Sequence, residues 1–296
     1  MRIAITGSHG LIGTALMSAL RASGHDVVQL VRGTPRGPGQ VEWDPAAGSV
    51  DLPGLAGVEA AVHLAGASVG DKRWNEDYKR ELRDSRVLGT RTLVRALTSL
   101  DPLPRVLVSG SGVGYYGDRG NEVLTERSSK GDTFLADLVQ AWEAEADPAR
   151  EAGIRVAHPR TGLVMARSGG AFKQLLLLAR LGLGGPMGNG KQWWSWITLA
   201  DHVSALQYLI TSELAGPVNF SAPNPARNIE VMRALTSALH RPCLLPVPAF
   251  ALRIVIGEFA GEVLASQRMV PEKLTASGFT FQHPTLESAA SWVTAK

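Results

Sequence analysis

The chain of 296 residues carries 30 lysine and arginine side chains against 27 aspartate and glutamate, which gives a formal charge of +3 at pH 7. Hydrophobic residues make up 45% and charged residues 19%, a balance that excludes a disordered or fibrous protein. The basic side chains form no run that would bind nucleic acid, and the single cysteine, Cys243, excludes an internal disulfide and a zinc site built on cysteine pairs.

No apolar segment has the length of a signal peptide or a membrane span. We therefore expect a cytoplasmic protein without membrane or nucleic-acid partners. The expected partner is a small-molecule substrate, and a homodimer is compatible with the sequence.

Short β-branched apolar runs alternate with longer amphipathic runs along the first half of the chain. This order predicts strands at 2–6, 27–31, 60–65, 106–109, 155–158 and 217–221, and helices at 11–22, 75–100 and 135–152. Helices that connect successive strands in this way imply a parallel sheet. After residue 224 the chain changes character, with helical runs at 230–239 and 250–265 around a proline-rich stretch.

The element order predicts an α/β fold: a Rossmann-type doubly wound parallel sheet with a smaller C-terminal lobe on the substrate side. Residues 1–164, completed by about 196–222, would form the Rossmann domain. Residues 165–195 and 223–296 would form the lobe, with a glycine-rich loop at 182–190.

The strongest motif is Gly7-Ser8-His9-Gly10-Leu11-Ile12-Gly13, which follows the first predicted strand and opens the first predicted helix. Glycines in this place let the backbone approach a pyrophosphate, and the helix N-terminus offers free N–H groups to the phosphates. The alternative is a glycine-rich turn without a ligand. We predict a dinucleotide site made by Gly7, Ser8, Gly10, Leu11, Ile12 and Gly13.

Arg32 ends the second predicted strand, where a fold specific for NAD usually carries an acidic residue. A guanidinium there suits the 2′-phosphate of NADP, because it presents a fork of hydrogen-bond donors. The alternative is a solvated arginine at a strand end. We predict that the Rossmann domain binds NADP.

The third predicted strand ends in His63-Leu64-Ala65-Gly66-Ala67. Small residues at this point let a ribose or adenosine lie against the backbone, although a strand end that is merely tight has the same appearance. Gly66 is therefore added to the predicted cofactor site.

Several motifs in order resemble the extended short-chain dehydrogenase/reductase superfamily, which includes sugar-nucleotide epimerases. They are the glycine turn at 7–13, the small-residue strand end at 63–67, Arg86-Val87-Leu88-Gly89-Thr90, and Tyr116-Gly117. Further motifs narrow the resemblance to the atypical epimerase family branch, also labelled cell-division-inhibitor-like: Arg73-Trp74-Asn75, Ser111 to Asp118, Trp142-Glu143, Arg160-Thr161-Gly162, Trp196-Ile197, and a C-terminal segment at 245–292. The resemblance implies that five residues join Arg32 around NADP: Leu64, Ala65, Glu81, Arg86 and Leu163.

Extended reductases usually carry a Tyr-x-x-x-Lys pair whose lysine lowers the tyrosine pKa, so that the phenol exchanges a proton with the substrate. None of the four tyrosines here has a lysine four residues later. Ser109 and Ser111 remain near the expected nicotinamide position, followed by Tyr115 and Tyr116. We assign Ser109 to the cofactor, Ser111 to polarising the substrate carbonyl, and Tyr116 or Tyr115 to proton transfer. The alternative is that these residues only pack the loop.

Two further features are open to more than one interpretation. Trp193, Trp194 and Trp196 form either a flat wall for a substrate or part of the core. Asp201 is assigned to N-terminal capping of a helix.

The sequence as a whole predicts an NADP-dependent oxidoreductase or epimerase without a metal site. A sugar nucleotide or another small carbonyl compound is the candidate substrate. The alternative is an NADP(H)-binding regulatory or sensor protein that has lost the Tyr-x-x-x-Lys chemistry.

Overall fold

The computed structural model describes residues 1–170 and 172–295, so that Ala171 and Lys296, both inside the predicted lobe, lie outside the described residues. The strands are β1 (Arg2–Thr6), β2 (Asp26–Val31), β3 (Gln40–Asp44), β4 (Ser49–Val50), β5 (Ala60–His63), β6 (Val106–Ser109), β7 (Ser111–Gly112), β8 (Val123–Leu124), β9 (Arg155–Thr161), β10 (Leu163–Met165), β11 (Trp193–Trp194), β12 (Trp196–Thr198), β13 (Gly216–Phe220), β14 (Ala226–Arg227) and β15 (Arg268–Met269).

The helices are α1 (Leu11–Ala22), α2 (Glu76–Thr98), α3 (Phe134–Ala144), α4 (Asp147–Glu151), α5 (Phe172–Arg180), α6 (Leu199–Thr211), α7 (Asn228–Ala238), α8 (Ala249–Ile256), α9 (Ala260–Leu264), α10 (Glu272–Ala276) and α11 (Leu286–Thr294). Short 3₁₀ turns lie at Pro53–Leu55, Val113–Tyr116 and Gly257–Phe259. None of the described helices is long and apolar enough to cross a membrane.

The main sheet has the strand order β13-β9-β6-β5-β1-β2-β3-β4, and its neighbours are parallel except for the β3–β4 pair at one edge. The chain runs outward from β1 to β2 and β3, then returns to the other side of β1 with β5. This reversal is the topological switch point at which doubly wound sheets bind ligands, outside the carboxyl ends of the strands. The prediction of a doubly wound parallel sheet is confirmed.

Alternate residues of β1 supply the two layers of the core, because successive side chains of a strand point to opposite faces. Ile3 and Ile5 pack with Leu16 of α1 and Leu206 of α6. Ala4 packs on the other face, in the layer formed with α2 and α4. The sheet is therefore covered by helices on both sides, which holds the ends of its strands in fixed positions.

A third buried cluster is formed around Phe172 of α5 and Trp196 of β12, with residues of α7 and α11. The C-terminal stretch does not pack only in this cluster, since Leu274 of α10 belongs to the core beside the main sheet. The segment predicted to form the lobe therefore also contributes to the core of the main sheet.

Three predicted elements differ clearly from the structure, and strand β3 was missed. The predicted helix at 135–152 is two helices, α3 and α4, and Pro148 stands in the first turn of α4, where proline is tolerated. The run at 250–265 is likewise α8, a 3₁₀ turn and α9. Strand β9 extends beyond the predicted 155–158, and its Pro159 falls between the residues that pair with β6 and with β7, where no N–H is required. Strand β3, with Val41 and Trp43 buried between exposed neighbours, was not predicted.

Candidate cofactor and substrate site

The glycine turn after β1 places α1 close to the sheet. Gly7 has φ +69°, and a Cβ on it would lie 2.7 Å from the carbonyl carbon of Leu64. A Cβ on Gly13 would lie 2.2 Å from the Gly7 oxygen. Gly10 differs, because a Cβ there would meet only the Gly7 oxygen, at 3.3 Å. The fold therefore requires Gly7 and Gly13, whereas Gly10 borders open space.

The N-terminus of α1 has no side-chain cap. Its first backbone hydrogen bond runs from Thr14 N to Gly10 O at 2.9 Å, and within the described residues the N–H groups of Leu11, Ile12 and Gly13 have no acceptor. Ser8 is buried, and its carbonyl accepts a bond from Thr14 Oγ1, which fixes the turn. Three free N–H groups at a helix N-terminus fit a pyrophosphate.

Arg32 follows the end of β2, and its side chain is exposed. Because Thr6 pairs with Leu30, this strand end lies beside the glycine turn. Arg32 forms no ion pair with any other described residue. The arrangement presents a free guanidinium on the β2 side of the dinucleotide turn.

Thr6 and His63 hold the end of β5 against β1. The Thr6 hydroxyl accepts hydrogen bonds from the N–H groups of Leu64 (3.1 Å) and Ala65 (3.2 Å) and lies 2.7 Å from His63 Nδ1. Burial, aided by the charge of Arg86, lowers the pKa of His63 to about 4. His63 is therefore a neutral structural residue that fixes the backbone of Leu64 and Ala65.

Arg86 projects from α2 toward the same loop. Its guanidinium donates to the carbonyls of Leu82 and Ala67, each at 3.0 Å, and stacks 5.1 Å from the ring centre of Trp142. Burial lowers the pKa of Arg86 to about 10, so it remains charged at neutral pH. A positive charge thus lies against the backbone next to Gly66, whose Cβ would be 3.4 Å from the guanidinium carbon.

Three other predicted cofactor residues, Glu81, Leu163 and Ser109, have different surroundings. Glu81 lies on the surface of α2, where its carboxylate pairs with Lys72 at 2.9 Å. Leu163 begins β10, is half-buried, and donates its N–H to Ser195 O at 2.7 Å. Ser109 ends β6, with a buried hydroxyl that has no partner among the described residues.

A buried polar network connects Ser111 with the neighbouring strands. Ser111 Oγ donates to Glu143 Oε1 at 2.6 Å. Arg160 donates one hydrogen bond to each carboxylate oxygen of Glu143, both at 2.8 Å. Arg160 also donates to the Tyr116 hydroxyl at 3.2 Å, which in turn donates to Asn219 Oδ1 at 2.6 Å. The motifs containing Glu143 and Arg160 contributed to the resemblance, but the sequence did not show that these side chains meet Ser111.

The charges in this network are balanced. Burial alone would raise the pKa of Glu143, but the hydrogen bonds and charge of Arg160 hold it below its ordinary value. Burial raises the pKa of Tyr116 to about 12, against the influence of Arg160. Tyr116 is fully buried and its proton is already donated. Its geometry favours a structural role over proton transfer.

Tyr115 has a different environment from Tyr116. It is half-buried, and its ring centre lies 3.4 Å from the Arg160 guanidinium carbon and 5.3 Å from the ring centre of Tyr116. Of the three residues predicted to be catalytic, Tyr115 alone has a hydroxyl that makes no hydrogen bond to another described residue.

The three tryptophans have separate environments. Trp196 is fully buried in the third cluster. Trp193 is half-buried, and the central carbons of the Arg227 and Arg268 guanidinium groups lie 4.7 and 4.5 Å from its ring centre. Trp194 donates its indole N–H to Val263 O at 3.1 Å.

The N-cap of α6 is Thr198, whose hydroxyl accepts from Asp201 N at 3.1 Å. The Asp201 carboxylate lies in the first turn and accepts N–H groups of Gln282 (2.6 Å) and His283 (3.1 Å). Asp201 is therefore not the capping residue itself. It ties the C-terminal tail to the start of α6.

The chain was compared with protein families and with known relatives. A model described as the NAD dependent epimerase/dehydratase family matches residues 3–220, and a domain of unknown function, DUF1731, matches residues 247–293. An epimerase family protein of Mycobacterium leprae is 40% identical over 296 residues, covering 99% of this chain and 96% of the relative. The human epimerase family protein SDR39U1 is 36% identical over 304 residues, covering 100% of both.

Solved structures agree with these matches. The crystal structure of human SDR39U1 (isoform 2) with NADPH has a TM-score of 0.91 at 35% identity, over 99% of both chains. A nucleoside-diphosphate sugar epimerase from Corynebacterium glutamicum has a TM-score of 0.79 at 36% identity, covering 98% of this chain and 57% of that one. The resemblance predicted from the motifs and the Rossmann-type fold are both confirmed.

Proposed function

Because the chain belongs to the NAD dependent epimerase/dehydratase family, we propose that it binds NADP(H) and acts as an oxidoreductase or epimerase on a small carbonyl compound or a sugar nucleotide. The observation that carries this proposal is the uncapped N-terminus of α1 beside the free guanidinium of Arg32. The NADPH in the crystal structure of human SDR39U1 supports the same cofactor.

The residues present fit this cofactor. The N–H groups of Leu11, Ile12 and Gly13 would hold the pyrophosphate, and Arg32 would pair with the 2′-phosphate. The backbone of Leu64, Ala65 and Gly66 would support the ribose, with Arg86 adding positive charge behind it. Ser109, Glu81 and Leu163 are kept as proposed cofactor residues, and the bound cofactor would supply or accept a hydride.

The proposed substrate side includes Ser111 and Tyr115. While the Ser111 proton is donated to Glu143, the hydroxyl can accept a hydrogen bond but cannot polarise a carbonyl. We propose that the Ser111–Glu143–Arg160–Tyr116 network keeps the loop after β6 in place, and that Tyr115 contacts the substrate. In this arrangement Tyr116 is a positioning residue.

A specific observation favours the second candidate function, an NADP(H)-binding sensor. The resemblance to extended reductases implies that helix α3 would carry the Tyr-x-x-x-Lys pair, but it carries Phe134 and Leu138. Both pack in an apolar cluster with Trp74. Neither side chain can exchange a proton.

One experiment separates the two functions. Binding of NADPH and NADH is measured by fluorescence titration, and NADPH oxidation is followed at about 340 nm with a panel of aldehydes, diketones, quinones and sugar nucleotides. Turnover of any compound in this panel supports the enzyme. Tight NADPH binding without turnover supports the sensor, and absence of NADPH binding contradicts both.

A further inference from the structure

Six large apolar side chains protrude from two segments of the predicted lobe, at 177–181 and 244–255. Each of them is between 54% and 73% exposed, and no other large apolar side chain among the described residues is more than half exposed. Monomeric proteins usually scatter such residues, so a group of them marks a site of interaction. We call the six residues the apolar surface: Leu177, Leu181, Leu244, Phe250, Ile254 and Val255.

The two segments lie side by side. Val247 N donates to Pro186 O at 2.8 Å, and a Cβ on Gly185 would lie 2.0 Å from Leu245 O, so that the two backbones are in contact here. Helix α5 leads into this contact along one segment, and α8 leads out of it along the other. The exposed residues of both helices therefore belong to one region of the molecular surface.

Both helices are apolar on two sides. The buried residues of α5 and α8 pack in the third cluster. Leu177 and Leu181 are exposed four residues apart, and Leu181 N still donates to Leu177 O at 3.1 Å, as in a helix. Phe250 and Ile254 of α8 repeat this spacing, which places two residues on the same side of a helix. The core is already covered by the inner sides, so the outer apolar sides are left for a partner.

The charge around the apolar surface has one sign. Residues 152–200 and 231–257 contain no aspartate or glutamate. Four exposed basic residues lie in or next to the two segments, and within the part of the chain that the structure describes they form no ion pair. They are Lys173, Arg180, Arg241 and Arg253. The missing partner is therefore anionic as well as apolar.

This combination selects among the possible partners. In a twofold dimer the same patch of each copy meets its equivalent, which would bring the unpaired cations of both copies together. A bilayer with anionic headgroups complements the surface, because protruding apolar side chains enter the boundary between headgroups and acyl chains without needing a matching cavity. Lysine and arginine at its border reach the lipid phosphates while their alkyl stems stay in the apolar layer.

The segment 257–266 follows α8 and lies against two loops at the carboxyl edge of the main sheet. Phe259 packs its ring 5.5 Å from that of Trp74, in the loop after β5. Ser266 N donates to Asp118 Oδ1 at 3.1 Å, in the loop after β6. A contact made through α8 would therefore fix the orientation of this edge, and of the proposed substrate side, relative to the partner.

We propose that the apolar surface docks onto a membrane surface rich in anionic phospholipid, with α5 and α8 lying in the interface and not crossing it. The inference goes beyond the proposed function and does not depend on the reaction. The expectation from the sequence that the protein has no membrane partner rests on the lack of a spanning segment, and a contact of this kind needs none.

The first readout is binding of the whole chain to vesicles, measured by flotation. We expect binding to vesicles of phosphatidylglycerol and phosphatidylcholine in equal parts to be about tenfold or more tighter than to phosphatidylcholine alone, and to weaken as salt is raised. The double variant Phe250→Ser with Ile254→Ser should lose about tenfold or more in affinity. Arg253→Gln should lose about fivefold.

Matched controls change the same residue types elsewhere on the surface. Leu103→Ser removes another exposed apolar side chain, and Arg95→Gln removes another exposed arginine without an ion pair among the described residues. Both should bind vesicles as the wild type does. Circular dichroism and NADPH titration check that every variant keeps its fold and its cofactor affinity.

The second readout reports insertion rather than adsorption. In a Cys243→Ser background, a polarity-sensitive nitrobenzoxadiazole dye is attached to Phe250→Cys or, as control, to Leu103→Cys. Anionic vesicles should shift the emission of the first to shorter wavelength and leave that of the second unchanged. Equal responses at both positions would overturn the proposal.

The remaining outcomes identify the rival partners. Absence of binding to anionic vesicles overturns the proposal. If the wild type then sediments as a dimer that the Phe250→Ser, Ile254→Ser variant dissociates, the surface belongs to a second copy of the chain. A monomeric wild type without vesicle binding would leave an acidic protein as the partner.

Discussion

The glycine turn at 7–13 and the segment 257–266 both border the carboxyl edge of the main sheet, but they are built from different chemistry. The turn works through backbone groups, because the N-terminus of α1 leaves free N–H groups beside the switch point. The segment contains an acidic side chain, Glu262, whose pKa burial raises to about 7, with Thr133 and Asp118 from distant parts of the chain among the groups that influence it. Local backbone geometry requires glycines at fixed spacing and can therefore be recognised in the sequence. A side-chain pKa that is shifted by distant residues has no such pattern.

The largest expected effect follows from the open space at Gly10. Gly10→Val should abolish NADPH binding, by about a thousandfold or more, because a branched side chain would occupy the approach to the N–H groups of α1. The fold should remain, since a Cβ there meets only one atom within 4 Å. Binding is measured by fluorescence titration and folding by circular dichroism, with the solvent-facing Gly37→Val as control.

A substitution at Gly13 is the comparison that separates an effect on the fold from an effect on cofactor binding. Gly13→Ala should destabilise the protein itself, because its Cβ would lie 2.2 Å from the Gly7 oxygen. NADPH binding at wild-type affinity in Gly10→Val would show that the turn serves the fold only.

How much the sequence predicts depends on the range of the interactions. Strand β1 and helix α1 match their predicted bounds, since glycine chemistry and apolar periodicity act within a few residues. The short strand β3 escaped prediction because its Val41 and Trp43 are buried by tertiary packing.

The same reason explains the incomplete prediction of the candidate site. Ser111 and Tyr116 were selected as reactive groups from their position after a strand. Their hydroxyl protons are occupied by Glu143 and Asn219, and Asn219 lies 103 residues from Tyr116. Contacts across such distances, like those that bury Glu262, have no signature in local spacing.

The second prediction tests the adenosine side of the turn. Arg32→Glu should weaken NADPH binding by roughly ten- to more than a hundredfold, because a charge-assisted hydrogen bond worth about 1.5 to 3 kcal/mol is lost. NADH affinity should change by less than about threefold, since NADH has no 2′-phosphate. The control is Arg95→Glu, which changes the charge of an exposed arginine near the C-terminal end of α2. Equal losses for both cofactors would contradict the assignment of Arg32.

The third prediction tests the hydrogen bond between Ser111 and Glu143. Ser111→Ala removes the 2.6 Å hydrogen bond to the buried Glu143 carboxylate and should lower the free energy of unfolding by about 1.5 to 3 kcal/mol, as measured by urea denaturation. Its kcat should remain within about tenfold of wild type, because the serine proton is not free for the substrate. A loss of about 100-fold in kcat with unchanged stability would instead restore Ser111 as the group that polarises the carbonyl.

The smallest expected effect concerns the pH dependence of folding stability. His63, beside the glycine turn, and Glu262, in the segment 257–266, should contribute to it with opposite signs. The lowered pKa of His63, about 4, means that its contribution to stability is present above the ordinary histidine value and is lost as pH falls toward 4. The raised pKa of Glu262, about 7, has the opposite consequence. Between the ordinary glutamate pKa and about 7, the folded state binds more protons than the unfolded state, so stability falls as pH rises through this window.

Glu262→Gln should therefore gain stability over the wild type as pH rises from about 5 to about 8, by roughly 1 kcal/mol after solvent screening. Urea denaturation at several pH values measures the difference, and Glu258→Gln should show no comparable gain because its parent carboxylate is exposed and paired with Lys79. A constant difference between Glu262→Gln and wild type across this range would mean that Glu262 ionises at the same pH in the folded and unfolded chains. The carboxyl group would then be a solvated surface acid, and the contrast between the two regions would reduce to the backbone chemistry of the glycine turn.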